Sequence, residues 1–431
     1  MRSLRVLITN MVLLGRSGTE TYVRDLALAL RKRGHQPLVY APRIGPIADE
    51  IRDGGVPVSE ELAAFDPPPD VIHGHHSLPV ISALLHFSGV PAVFVSHSGF
   101  FWADAPPRFP RIRRYVAVDH RCREWLTTEH AVAESQLRVI YNSVDLDRFK
   151  PRGPLPDRPR RALLFSNYAN EHTHLGAVRE ACARTRLDLE VVGSGVNNVC
   201  DHPEAILGRF DLVFAKGRSA LEAMAVGAAV VLCGAEGSGP LVRPDLFGDL
   251  RRFNFGYRTL TEPVTADVLV GEVGRYDPHE AAAVSARVRA EAGLDGMVTD
   301  LLDLYTEVLA EPPSEEASGA GAEARAVAAY LRSLEPPLFR YFAAEDKITH
   351  LEAEVRRLAV LVSQASVASA RRSPPSFFHR LLARAHRRGW WVLSRHRRAE
   401  STAASTSTVS RPTQPVTLAE TVRQPASQTT R

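Results

Sequence analysis

The sequence predicts an α/β fold in which two doubly wound parallel-sheet domains face a cleft, followed by a helical and low-complexity C-terminal extension. Three features carry that prediction. Short aliphatic runs alternate with helix-period stretches over residues 4–311, the pattern of strand–helix–strand units. The alternation comes in two series, separated by the proline-rich, aperiodic segment Pro151–Pro159, which reads as an interdomain linker. Several strands end in glycine or polar residues, and a parallel sheet gathers those ends at one edge, where open α/β folds bind ligands.

The first series occupies residues 1–155. Arg5–Ile8 is a strand, followed by the loop Gly15-Arg16-Ser17-Gly18-Thr19-Glu20 and a helix to about Lys32 with Val23, Leu26, Ala27 and Leu30 at core spacing. Gly34 stops that helix. Leu38–Tyr40, Asp70–Ile72, Pro91–Val95, Tyr115–Val118 and Leu137–Ile140 are further strands. Their polar ends are His73-Gly74-His75-His76, Ser96-His97-Ser98-Gly99, Asp119-His120 and Asn142-Ser143-Val144-Asp145. The glycine loop matches neither a dinucleotide nor an ATP fingerprint. The histidine run lacks a carboxylate or cysteine at ligand spacing, so no metal site is expected there.

The second series occupies residues 156–312. Ala162–Phe165 is a strand ending in Ser166-Asn167, Leu175–Thr185 a helix, and Leu189–Val192 a strand ending in Gly193-Ser194-Gly195. The stretch Asp211–Cys233 then reads as strand, turn, helix and strand: Leu212–Phe214, Lys216-Gly217-Arg218, a helix from Ser219, and Ala229–Leu232 after the breaker Gly227. Ser219 and Glu222 stand at capping-box spacing. A helix start flanked by Lys216 and Arg218 offers backbone N–H groups and positive charge to a phosphate. Gly234–Pro240 reads as a flexible loop, and helices are expected at 265–274, 279–291 and 294–311, the last packing through Met297, Leu301, Leu302, Leu304 and Tyr305.

The chain's 53 basic and 49 acidic side chains give a net charge of +4, unevenly spread. Residues 371–431 hold twelve arginines against Glu400 and Glu420, a balance of +10, which leaves residues 1–370 near −6. Nucleic acid is therefore not the expected partner of the globular part. Cys122, Cys182, Cys200 and Cys233 lie far apart and form no CxxC pair, which points to reduced thiols and a cytoplasmic setting. No small-residue cleavage signal follows the first apolar run, and no apolar stretch reaches membrane-spanning length.

After a linker over 313–323, residues 324–370 predict a helical extension. Ile348, Leu351, Val355, Leu358 and Val362 alternate at three- and four-residue intervals. That spacing suits either a homo-oligomer through a short coiled coil over 344–365 or a helix packed on the surface. Residues 371–398 carry nine arginines among Phe377, Phe378, Trp390 and Trp391, a basic amphipathic segment suited to an anionic membrane surface. Residues 399–431 read as a disordered tail.

Four motifs in this order, Ser17-Gly18-Thr19-Glu20, Val95-Ser96-His97, Asn142-Ser143-Val144-Asp145, and Leu221-Glu222-Ala223-Met224-Ala225-Val226-Gly227, resemble those of the retaining GT-B glycosyltransferases of family four. The resemblance covers residues 4–310 and implies two Rossmann-like domains and a nucleotide-sugar donor. It implies that Glu222 contacts the ribose, that backbone near Gly217, Ser219 and Ala220 holds the diphosphate, and that His97 lies beside the transferring sugar. Gly18 would sit near the diphosphate, and no cofactor or metal is implied. Ser166 and Asn167 end the strand where the family has an Arg and Lys pair, and so face the donor. Lys216 and Arg218 can restore the missing charge. Glu20, His73 and Ser98 fall on the acceptor side. The first glutamate of the family's paired motif is Phe214 here. That departure leaves two other readings open: a non-catalytic scaffold for surface-polysaccharide assembly, and a nucleotide-sugar epimerase on the same scaffold. A glycan, glycolipid or small-molecule acceptor and a peripheral place on the inner face of the cell membrane are the remaining expectations.

Overall fold

In the computed structural model, residues 2–312 and 320–372 are described; residues 373–398 of the expected basic segment 371–398 and the tail 399–431 lie outside them, as do residues 313–319 of the expected linker. The chain divides into units of residues 1–340 and 341–431.

The first lobe runs β1 (Arg5–Thr9), α1 (Gly18–Lys32), β2 (Gln36–Tyr40), α2 (Pro46–Asp53), β3 (Val58–Ser59), β4 (Val71–His75), α3 (Ser77–His86), β5 (Ala92–Ser96), β6 (Ile112–Ala117), α4 (His120–Thr128) and β7 (Leu137–Val139). Its seven strands are parallel, in the order β3-β2-β1-β4-β5-β6-β7. β1 and β4 are neighbours, so the strand order reverses beside the loop that follows β1. That reversal is the topological switch point where such sheets open a crevice.

The second lobe runs β8 (Arg161–Phe165), α5 (Leu175–Thr185), β9 (Asp188–Val192), α6 (Pro203–Ile206), β10 (Leu212–Ala215), α7 (Gly217–Val226), β11 (Ala229–Gly234), β12 (Gly237–Leu241), α8 (Phe247–Arg251), α9 (Ala266–Val273) and α10 (Pro278–Glu291). The sheet order is β12-β11-β10-β8-β9, parallel except for β12. Gly237–Leu241 is thus an antiparallel edge strand rather than the flexible loop expected from its glycines. Close approach explains them: a Cβ on Gly239 would lie 2.3 Å from the Thr259 carbonyl oxygen.

Two strands of chain cross between the lobes side by side. Val144 N–H donates to the Ala292 carbonyl at 2.9 Å, and Leu294 N–H to the Val144 carbonyl at 2.9 Å. The Asn142–Asp145 motif therefore builds the hinge, with Val144 fully buried and Asp145 Oδ1 accepting from Asp147 N–H at 2.9 Å. Beyond it, α11 (Leu294–Ala310) returns to the first lobe: Met297, Leu301, Leu302, Leu304 and Tyr305 join that lobe's core, not the second lobe's. α12 (Ala320–Ser333) follows it there, burying Tyr330 and pairing Glu323 with Arg111. α13 (Glu335–Arg372) is a single 38-residue helix.

Candidate functional site

A cavity of about 390 Å³ lies between the lobes, at the carboxyl ends of both sheets. The first lobe contributes the loop Gly15–Gly18 and, one and two turns along α1, Thr21 and Arg24. The second contributes Ser166 and Asn167 after β8, Gly193 and Ser194 after β9, and Arg218, Ser219 and Glu222 on the first turns of α7. Local chemistry fixes these walls. Asn167 Oδ1 accepts from Ser194 N–H at 3.1 Å, tying the two strand ends together. Gly193, at φ +154°, is required there, because a Cβ would stand 2.0 Å from the Ser166 carbonyl oxygen. At Gly18 a Cβ would meet nothing within 4 Å, so packing does not demand that glycine.

Beneath the cavity a buried charge cluster bridges the lobes. Asp25 of α1 receives Arg24 Nε at 2.9 Å and Nη2 at 2.7 Å, together with the guanidinium of Arg218 from α7. Arg148 stands 3.6 Å away. Burial pushes the Asp25 carboxyl up, but Arg218, Arg24 and Arg148 overcome it and hold that carboxyl below its ordinary value. Arg218 also donates through Nε to Glu222 Oε1 at 2.9 Å. Burial raises the Glu222 carboxyl, and Arg218 only partly offsets that. A second cavity, about 420 Å³, shares Arg16, Arg24 and Arg148, is reached by Asp25 from the far side of the cluster, and is otherwise walled by mixed charge from Lys32, Glu50, Asp147, Glu204 and Asp295. It lacks most of the glycine loop, and the helix start it does have, at Gly293–Asp295 of α11, carries the Asp295 carboxylate and has its Leu294 N–H bonded to the Val144 carbonyl, so the smaller cavity is the better anion site.

Beside this cluster lies a histidine group in which His73 and His75 are buried and His97 is partly exposed. β4 runs through His73-Gly74-His75 instead of ending before it, which puts both imidazoles inside the first lobe. His97 Nε2 is 2.7 Å from His75 Nδ1, and His73 Nδ1 is 2.6 Å from the Tyr305 hydroxyl. Tyr22 meets the His97 ring edge-on at 4.9 Å between centroids. Burial pushes His97 and His73 down to about 3, so both are neutral.

Of the residues singled out from sequence, Gly18, Ser166, Asn167, Arg218, Ser219 and Glu222 meet at the cavity. Others do not. Lys216 is the N-cap of α7, and its ammonium pairs with Glu236 at the β11–β12 turn, 5.5 Å over the Tyr168 ring and away from the cavity walls. α7 starts at Gly217, so Ser219 is its third residue and not its cap; Glu222 is freed from the expected capping box and turns to Arg218. Gly217 N–H is already spent on the Phe255 carbonyl at 2.7 Å, and Ala220 is core. Glu20 is the residue that closes a capping box, with Ser17. Its carboxylate accepts from Leu14, Gly15 and Ser17 N–H at 2.6–2.8 Å, shaping the glycine loop rather than facing an acceptor. His73 is likewise core, and Ser98 Oγ accepts from Phe101 N–H at 3.1 Å within its own loop.

Asp25, Arg24 and Arg148 were not expected. Their signal was present: Gly18, Thr21 and Asp25 share one face of α1 at i, i+3 and i+7, and a charged pair at 24–25 interrupts an otherwise core-facing stripe.

Residues 16–148 match Glycosyltransferase Family 4. The motifs at the cavity, the two-lobe architecture and this match agree. The chain has the GT-B fold, and its first lobe matches a glycosyltransferase family. A glycosyltransferase from Rickettsia africae ESF-5 superposes with a TM-score of 0.55 at 16% identity, over 72% of this chain and all of the other. HepE from Anabaena, solved with UDP and glucose, gives 0.50 at 15% identity, over 70% of this chain and 99% of the other. At that identity the likeness carries the GT-B fold alone. No curated protein matches the sequence. Among the described residues, no cluster of His, Cys, Asp or Glu could hold a metal ion, and no helix is long and apolar enough to cross a membrane. All four cysteines are free.

Proposed function

We propose that the protein is a glycosyltransferase that moves a sugar from a nucleotide sugar in the interlobe cavity to a glycan, glycolipid or small-molecule acceptor on the first lobe, with retention. The observation that carries this reading is the convergence of the α7 start, the Gly15–Gly18 loop and the arginines 16, 24, 148 and 218 on one 390 Å³ cavity. A diphosphate there meets positive charge from both lobes. It would displace Asp25 and Glu222 from Arg218, which releases the Glu222 carboxylate to a ribose hydroxyl. In the transfer step the bond from the anomeric carbon to the diphosphate oxygen breaks, and the acceptor oxygen bonds on the same face. The acceptor proton leaves with the diphosphate. Fixed donors aimed at a developing oxyanion contribute about 3–4 kcal/mol each, and Arg218 with the N–H groups that follow Gly217 in α7 would take that role. His97, neutral and held through Nε2, has Nδ1 left to meet a sugar hydroxyl. Peripheral attachment through the basic segment at 371–398 would bring glycolipid acceptors within reach.

A scaffold reading has one specific support: Phe214, at the position of the family's first motif glutamate, is fully buried in β10 and offers no carboxylate to a donor. Incubation with a panel of nucleotide sugars separates the readings. Release of nucleoside diphosphate, with glycoside formed when acceptor is added, is expected. Epimerised donor without release indicates an epimerase, and donor binding without turnover indicates a scaffold.

A further inference from the structure

Among the described residues, helix α13 carries an apolar stripe that is left exposed. Pro336 and Pro337 sit in its first turn, where the missing N–H groups cost nothing. Beyond them Ile348, Leu351, Val355 and Leu358 are 47–64% exposed, along one stripe of the helix. Tyr341 continues the stripe toward the N-terminus at 57% exposure. A helix of this length with an uncovered seam is stabilised chiefly by packing against another surface.

Three features identify that surface as a second copy of the same helix. With Ile348 and Val355 at a and Leu351 and Leu358 at d, the seam has β-branched residues at a and leucine at d, the combination that favours two parallel strands. Arg340 and Lys347 then fall at g, and Glu345 and Glu352 at e. In a parallel pair each g faces the e five residues further along the other helix. Arg340 would face Glu345 of the second copy, and Lys347 would face Glu352, opposite charges in both cases. In an antiparallel pair e faces e and g faces g, which sets Glu345 against Glu352 at e and leaves Lys347 with Glu354 at g as the opposite pair, so the parallel arrangement has the better charge match. Glu345 and Glu352 are held meanwhile only by exposed contacts within their own helix, with the Tyr341 hydroxyl at 2.6 Å and Arg356 at 3.8 Å.

We infer that the protein forms a parallel homodimer through α13, with its seam on Ile348, Leu351, Val355 and Leu358 and its orientation set by the Arg340–Glu345 and Lys347–Glu352 pairs between copies. This inference does not depend on the transferase reading, since none of these residues lies at the cavity.

Sedimentation velocity on the full chain at micromolar concentration tests it. Wild type is expected at about twice the 47.3 kDa chain mass. Glu345→Lys with Glu352→Lys is expected to run as monomer, and so is Arg340→Glu with Lys347→Glu. Mixing the two double variants is expected to restore the dimer, because every g–e pair is again of opposite charge. Leu358→Cys, at the end of the seam, should cross-link to a dimer on mild oxidation only if the helices run parallel. The substituted side chains are exposed, and unchanged circular dichroism of the variants separates loss of pairing from loss of fold. A monomeric wild type overturns the inference, as does a dimer indifferent to charge reversal or an absence of cross-link. A monomer that instead binds phosphatidylserine-containing vesicles, and loses that binding on Ile348→Lys, assigns the stripe to membrane and overturns it too.

Discussion

Asp25→Asn is the most direct perturbation of the bridge beneath the cavity. Three guanidinium groups, from Arg24 and Arg218 in contact and Arg148 at 3.6 Å, converge on one carboxylate whose side chain is 5% exposed. Asparagine keeps the volume and one acceptor oxygen but removes the charge that balances them. Removing one member of a buried ion pair costs about 3–5 kcal/mol, because the remaining charge is left desolvated. For a unit of this size about 2 °C of melting temperature accompanies each kcal/mol, so a fall of roughly 6–10 °C is expected by calorimetry. The loss should be shared with Arg218: in a double-mutant cycle with Arg218→Met, the two costs should fall short of additivity by roughly 1–3 kcal/mol. The sign of the pH dependence follows from the depressed Asp25 carboxyl. Its contribution is present above the ordinary carboxylate value near 4 and is lost as pH falls through the lower folded value. The gap between wild type and variant should therefore hold from neutrality to about pH 4 and close below it. A variant within about 0.5 kcal/mol of wild type, or strict additivity with Arg218→Met, would refute the bridge.

Gly18→Ala should leave stability within about 0.5 kcal/mol while weakening diphosphate binding, since its methyl group enters open space at the cavity wall. Gly193→Ala should cost several-fold more stability or prevent folding, since φ +154° and the Ser166 carbonyl both oppose a Cβ; thermal melts of the pair separate packing from ligand approach. The neutral histidines make the fold acid-sensitive. With His73 and His97 pushed down to about 3, the unfolded chain binds more protons below pH 6.5, and each such histidine then removes about 1.4 kcal/mol per pH unit. Asp104, which burial raises to about 7, works in the opposite direction, losing stability as pH rises from about 4 toward 7. Urea midpoints between pH 7.5 and 5 should fall, and His73→Gln should flatten that slope.

Much of the architecture was legible because parallel sheets write themselves as short aliphatic runs with polar ends. β1, β5 and β8 needed no more than that. β4 was misjudged at its end because a polar HGH triplet reads as loop chemistry, whereas Tyr22 and Tyr305 supply a buried aromatic and hydrogen-bonding environment from helices distant in sequence. The β11–β12 hairpin was hidden by glycines whose role is close backbone approach, a tertiary fact. α11 was read correctly as a helix, yet its core residues serve the first lobe, because periodicity gives a face and not its partner. At the site, Glu222 and Arg218 were found through a motif and a helix start. Asp25 was not, because the two partners that tie it to the second half of the site, Arg148 and Arg218, lie 123 and 193 positions away in the chain. Lys216 was credited with charge at the cavity that Arg24 and Arg148 supply, since nothing local foretold its pairing with Glu236.

The central claim, that the interlobe cavity grips the diphosphate of a nucleotide-sugar donor, is tested most directly by calorimetric titration of UDP, GDP, ADP, CMP and dTDP into the wild-type protein and into Glu222→Ala. At least one diphosphate is predicted to bind one-to-one with a micromolar Kd that Glu222→Ala weakens by about tenfold or more, the worth of one hydrogen bond to a charged group. Absence of binding by any of these nucleotides to folded wild-type protein, or binding that Glu222→Ala leaves unchanged, would contradict it.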